Sequence, residues 1–69
     1  MKQLFETIRL AALEGFSCSF SVWQHSTDRE PHVSSFSVHR HGTMIGSEYR
    51  TMSAKEAARL IARLTDFAS

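Results

Sequence analysis

The chain has 69 residues, 42% of them hydrophobic, and its eight basic and seven acidic side chains leave a net charge of +1. That length allows one domain with a thin core, and no apolar run approaches the roughly 18 residues of a membrane-spanning helix. Near-neutrality excludes the large cationic excess on which strong nonspecific nucleic-acid binding rests, while leaving room for a local basic patch.

Lys2 to Glu14 reads as a helix, because Leu4, Phe5, Ile8, Ala11 and Ala12 fall on one face at a 3.6 period and Gly15 supplies a stop. Leu10 and Leu13 lie off that stripe, which calls either for a wide buried face or for a partner. Lys2 is followed so closely by Glu6 that the segment makes a poor export signal, and no small-residue cleavage site follows it. A cytoplasmic protein is expected, and the single cysteine, Cys18, agrees with a reducing compartment and a buried thiol.

Phe16 to Gln24 alternates. Phe16, Cys18, Phe20 and Val22 point one way, and Ser17, Ser19, Ser21 and Trp23 the other, as in a half-buried antiparallel strand. His25 to Pro31 makes a polar loop. Val33 to His41 forms a second strand with Phe36 and Val38 inward and Ser35, Ser37, His39 and His41 on the other face. Gly42 begins a short turn. A third strand spans Thr43 to Thr51, and the adjacent Met44 and Ile45 require a bulge near Gly46. Ser53 has the spacing of an N-cap to Glu56 in a capping box. The last helix follows from Ala54 to Phe67, with Ala57, Leu60, Ile61, Leu64 and Ala68 on its apolar stripe and Lys55, Glu56, Arg59, Arg63 and Asp66 on the opposite arc.

The expected fold is therefore a single α+β domain over residues 1–69. A three-stranded antiparallel sheet carries the N- and C-terminal helices on one face, in the order α-β-β-β-α. Cys18, Phe20, Phe36, Ile61 and Leu64 should be largely buried. The other face should be wet and rich in serine, histidine, Trp23 and Tyr49.

This layout resembles the double-stranded RNA-binding domain. His32, Phe36 and Val38 match the histidine before strand two and the aromatic and valine within it; Gly42 matches the turn glycine. Ser53, Lys55 and Ala57 match the serine-lysine-lysine-x-alanine-lysine start of the last helix, with Ala54 and Ala58 in the other two lysine places. The resemblance implies duplex RNA contacts by His32 in a minor groove and by Lys55, followed by Arg59, on phosphates.

Other chemistry is thinly represented. His39 and His41, two apart on a strand, could bring two imidazoles to a metal, but a third ligand is missing nearby, so neither metal nor cofactor is expected. Ser37 and His39 share a face without a buried carboxylate to orient the imidazole, which argues against nucleophilic catalysis. Trp23 stands out as an aromatic anchor for a protein partner, with His39, Arg40, Tyr49 and Arg50 extending the patch. The leading expectation is a non-enzymatic protein-binding module, which in size and plainness resembles small accessory or inhibitory proteins of bacteriophages that occlude a surface of a larger protein. Duplex RNA binding is the alternative. A meander also has two open edges through which a homodimer could form.

Overall fold

The computed structural model describes residues 2–23 and 32–68, so the predicted loop from His25 to Pro31 and the strand end at Gln24 lie outside the described residues. The elements run α1 (Lys2–Leu13), β1 (Phe16–Trp23), β2 (His32–Arg40), β3 (Thr43–Glu48), β4 (Met52–Ser53) and α2 (Ala54–Ala68). This is an α+β fold in which both helices pack on an antiparallel sheet of order β1-β2-β3, with β4 also paired to β2. In general shape it agrees with the α-β-β-β-α order of the double-stranded RNA-binding domain.

In α1, Leu4 and Ala11 are buried and Ile8 is half-buried, which follows from their spacing on one helical face. Gly15 adopts φ 90°, and the N–H groups of Glu14 and Gly15 donate to the carbonyls of Ala11 and Ala12 at 3.0 and 3.1 Å. Glycine tolerates that backbone where an L side chain resists it. The helix ends at Leu13, one residue before the predicted end at Glu14. Phe5 and Ala12, predicted on the buried stripe, are exposed instead; Phe5 lies against the Phe20 ring at 5.9 Å between centroids.

β1 alternates as predicted, but its inward side chains lose cover along the strand: Phe16 is buried, Cys18 and Phe20 are half-buried, and Val22 is exposed. Cys18, Phe20 and Leu64 are thus less enclosed than expected, whereas Phe36 and Ile61 are fully within the core. The physical reason for the first two is that, among the described strands, β1 lies at the sheet edge beside β2 alone.

β2 is the central strand and carries Val33, Phe36 and Val38 into the core. Its pairing with β1 shifts register: Ser21 faces Ser35, but Val22 faces Val33, so Ser34 is an extra residue. This bulge lets two apolar side chains three positions apart face the helices together. His41 and Gly42, at φ 53° and 79°, form a two-residue turn closed by the Arg40–Thr43 pair. Two consecutive positive φ values are those of a type I′ hairpin turn, whose twist matches the strands. His41, predicted as a strand residue beside His39, therefore belongs to the turn, and the anticipated two-histidine strand face does not form.

The bulge predicted near Gly46 is present. Val38 faces Gly46 and His39 faces Met44, leaving Ile45 extra. Ile45 packs against the core, while Met44 is 56% exposed. A Cβ on Gly46 would stand 2.8 Å from both methyl carbons of Leu64, so the missing side chain is what lets α2 lie close to β3. β3 ends at Glu48 rather than Thr51. The chain leaves the sheet over residues 49–51 and rejoins β2 as the unpredicted β4, which buries Met52.

The Ser53 hydroxyl accepts the Glu56 N–H at 3.1 Å, as an N-cap should. The Glu56 carboxylate accepts from Arg50 at 3.1 Å, so it closes a different contact from the reciprocal half of a capping box. Behind the cap, Ala57, Ala58, Ile61 and Thr65 are buried, with Leu60, Leu64 and Ala68 packed around them. Truncating Ile61 to alanine should cost about 2–5 kcal/mol.

Candidate binding surfaces

The register of the strands defines the open sheet face row by row. Ser17 faces His39, which faces Met44; Ser19 faces Ser37, which faces Ser47; Ser21 faces Ser35. The hydroxyls of Ser19 and Ser37 are 2.8 Å apart and share a hydrogen bond. At the far end Trp23 faces His32, and their rings stack at 6.4 Å with an interplanar angle of 27°. Between these rows and Tyr49 lies a shallow depression of about 310 Å³ that Met44 and Ser47 also line.

The residues named for protein binding do not form one patch. Trp23 and His39 occupy opposite ends of the open face. Tyr49 is 93% exposed in the excursion after β3. Arg50 sits beside it, with its guanidinium 3.6 Å from Glu48 and 3.1 Å from Glu56; both carboxylates, Glu56 first, hold it firmly protonated. Arg40 lies on the helix side of the sheet. It pairs with Phe16, covers that ring at 4.7 Å, and donates from Nη1 to the Ala68 carbonyl at 3.2 Å. Its position at the C-terminal end of α2 favours a cation.

The residues named for RNA are linked through the β2–β4 pairing. His32 pairs with Ser53, the cap of α2, and Lys55 follows two positions later. Lys55, Arg59 and Arg63 are all exposed and stand at i, i+4 and i+8 along one side of α2. The described ion pairs join Arg9 to Glu6 and Arg50 to Glu48 and Glu56, and none of them draws on these three cations. Glu56 beside Lys55 and Asp66 beyond Arg63 are the opposing charges on the same arc. Arg63 was legible in the sequence only as part of a solvated arc; its continuation of the Lys55–Arg59 spacing was the signal.

A groove of about 370 Å³ separates α2 from β3, lined by Phe36, Gly46, Leu60, Leu64 and the 91% exposed Phe67. It was not anticipated, because it depends on how α2 is set over Gly46. Leu10 and Leu13, the off-stripe residues of α1, are 51% and 74% exposed and border a second depression together with Ala62 and Asp66.

Among the described residues, no group of three or more His, Cys, Asp or Glu side chains converges as a metal site would require. Burial pushes the Cys18 thiol up, which leaves it a poor nucleophile at neutral pH. No described helix is long and apolar enough to cross a membrane. No family model, no curated protein and no solved structure matches this chain.

Proposed function

We propose that this is a non-enzymatic binding protein that grips the sugar–phosphate backbone of duplex RNA at the end of the molecule where α2 begins. The observation that supports this reading is the β2–β4 register. By setting His32 opposite Ser53, it gathers the Trp23–His32 stack, the start of α2 and Lys55 at one end of the sheet. Arg59 and Arg63 continue the positive row down the helix. Cations beside the positive end of a helix dipole are suited to phosphate, and a stacked indole–imidazole pair is suited to a sugar edge or an unstacked base. Ala58, in one of the family's lysine places, is buried, so a cation there would have to leave the core; Arg59 and Arg63 carry the charge on the exposed side instead.

The test is titration of a labelled RNA duplex of about 20 base pairs, longer than the ~16 that such a domain spans, at two salt concentrations. Lys55→Ala and Arg59→Ala should each weaken binding to all sequences alike and reduce the salt slope by about 0.9 per lost phosphate contact. Absence of duplex binding, or binding indifferent to both substitutions, would falsify the reading.

A second reading is supported by the open face: half-exposed Trp23, exposed Tyr49 and Met44 frame rows of small serine side chains over which another protein could pass closely. On that reading the chain occludes a surface of a larger protein. Trp23→Ala should then cost about 2 kcal/mol or more in partner binding, with Lys55→Ala almost silent.

A further inference from the structure

Going beyond either reading, we infer that two copies of this chain pair through the edges of β1 that face away from β2, along Phe16 to Val22, antiparallel about a two-fold axis, to form one continuous sheet. The two sheet edges differ sharply. β3 spans six residues, is interrupted by the bulge at Ile45, ends at Glu48 and then leaves the sheet beside Arg50. β1 spans eight residues, FSCSFSVW, with no charge and no proline, and pairs only with β2 among the described strands. The extra residue at its one register shift, Ser34, belongs to β2, so the outer side of β1 carries no bulge from Phe16 to Val22. Protected edges carry lysine, proline or bulges that turn a second strand away, and β1 has none of these.

The surroundings of this edge point to a second copy as the occupant. A two-fold contact sets a surface against its own image, so any net charge there repels itself; the β1 edge is neutral along its whole length and is complementary to itself. Exposed apolar side chains flank it on the helix side, with Phe5 at 56% and Val22 at 47% exposure beside half-buried Phe20. In the paired sheet, Phe20 and Val22 of one copy would meet inward-facing β1 side chains of the other.

Symmetry also restricts the register. A two-fold axis perpendicular to an antiparallel pair passes through a residue and its own image, and opposed side chains share a face. An axis at Ser19 opposes Cys18 to Phe20 and Phe16 to Val22. An axis at Phe20 opposes Cys18 to Val22. Either register keeps the helices of both copies on one side and the serines on the other. One strand pair with a small apolar flank lies at the low end of interface sizes, so association should depend on concentration. α2 lies against β2, β3 and β4, away from this edge, and its basic row stays free in the dimer.

Sedimentation equilibrium across micromolar to millimolar concentrations tests the inference on the full chain. The expected species has twice the 7.8 kDa chain mass at the upper end. Ser21→Lys, on the exposed face of β1, should shift the equilibrium at least tenfold toward monomer, while Thr43→Lys on β3 should leave it unchanged. Circular dichroism and a melt establish that both variants fold. Hydrogen exchange supplies a second measure: alternate β1 amides, those directed away from β2, should be protected in wild type and lose protection in Ser21→Lys. A wild-type chain that stays monomeric throughout, or a dimer broken by Thr43→Lys and not by Ser21→Lys, overturns the pairing without touching the RNA reading, since duplex binding is measured separately.

Discussion

Arg40 provides the sharpest test of where charge serves the fold and where it serves a surface. Its guanidinium covers the Phe16 ring at 4.7 Å and its Nη1 donates to the last described carbonyl of α2 at 3.2 Å, while its Nε is buried without a hydrogen-bond partner. The cation–ring contact is worth about 0.5–1 kcal/mol. A charge-assisted hydrogen bond at a partly buried site contributes about 1–2 kcal/mol, and the helix end adds a few tenths. Desolvation of the unpaired Nε opposes these by about 1 kcal/mol. Arg40→Ala also uncovers Phe16 by removing the aliphatic stem, so a net loss of about 1.5–2.5 kcal/mol is expected. Arg40→Met loses the same polar contacts but keeps a stem over the ring; it should cost about 1–2 kcal/mol, about 0.5 kcal/mol less than Arg40→Ala. Urea unfolding of the three chains reads these differences directly. At about 4–8 °C per kcal/mol for a domain of this size, a thermal melt resolves them as well. The reasoning fails if Arg40→Ala is as stable as wild type, or if Arg40→Met is as damaging as Arg40→Ala. A partner or duplex whose binding fell with Arg40→Met at unchanged stability would place Arg40 on a surface after all.

Three further outcomes follow from local geometry. His41 stands at φ 53° in the β2–β3 turn, so His41→Asn should raise stability by about 0.5 kcal/mol and His41→Val should lower it by about 1–2 kcal/mol, as read from denaturant midpoints. A Cβ at position 46 meets both Leu64 methyl groups at 2.8 Å; Gly46→Ala should therefore cost about 1–3 kcal/mol, and a double-mutant cycle with Leu64→Ala should recover part of it. Burial raises the Cys18 thiol above its ordinary range. Its contribution to stability is therefore complete below the unfolded thiol's titration and is lost as pH rises through the higher folded value. The stability difference between wild type and Cys18→Ala should shift against wild type only at alkaline pH, and a flat difference there would remove Cys18 from the account.

Much of this fold could be read from period alone. The stripe on α2, the serine alternation of β1 and the Ser53 cap each follow from side chains acting within one element. What the period missed lies between elements. β4 has two residues, too few to show alternation, and exists because Met52 fills the core beside Val33. Arg40 was grouped with the surface charges although it stands two places after Val38 on the inward side of its strand, and its register partner is the buried Phe16. Leu64 fell short of full burial because it borders the groove between α2 and β3.

The candidate RNA-binding end rests on the least legible feature, the bulge at Ser34. In a strand of strict alternation, side chains an odd number of positions apart point to opposite faces, so Val33 and Phe36 could not both enter the core. One extra residue between them restores agreement and, in doing so, turns His32 onto the open face beside Trp23. Without it, with Phe36 and Val38 inward, Val33 would meet solvent and His32 would be driven toward the helices. The signal was present as an odd interval, Val33 to Phe36, followed by an even one, Phe36 to Val38. The same logic, applied to the adjacent Met44 and Ile45, located the bulge in β3. Two small polar residues, Ser34 and Ser35, concealed its counterpart in β2, because either can stand on the wet face at little cost. The placement of His32 relative to Ser53 and Lys55 is thus a consequence of core packing on the opposite side of the sheet.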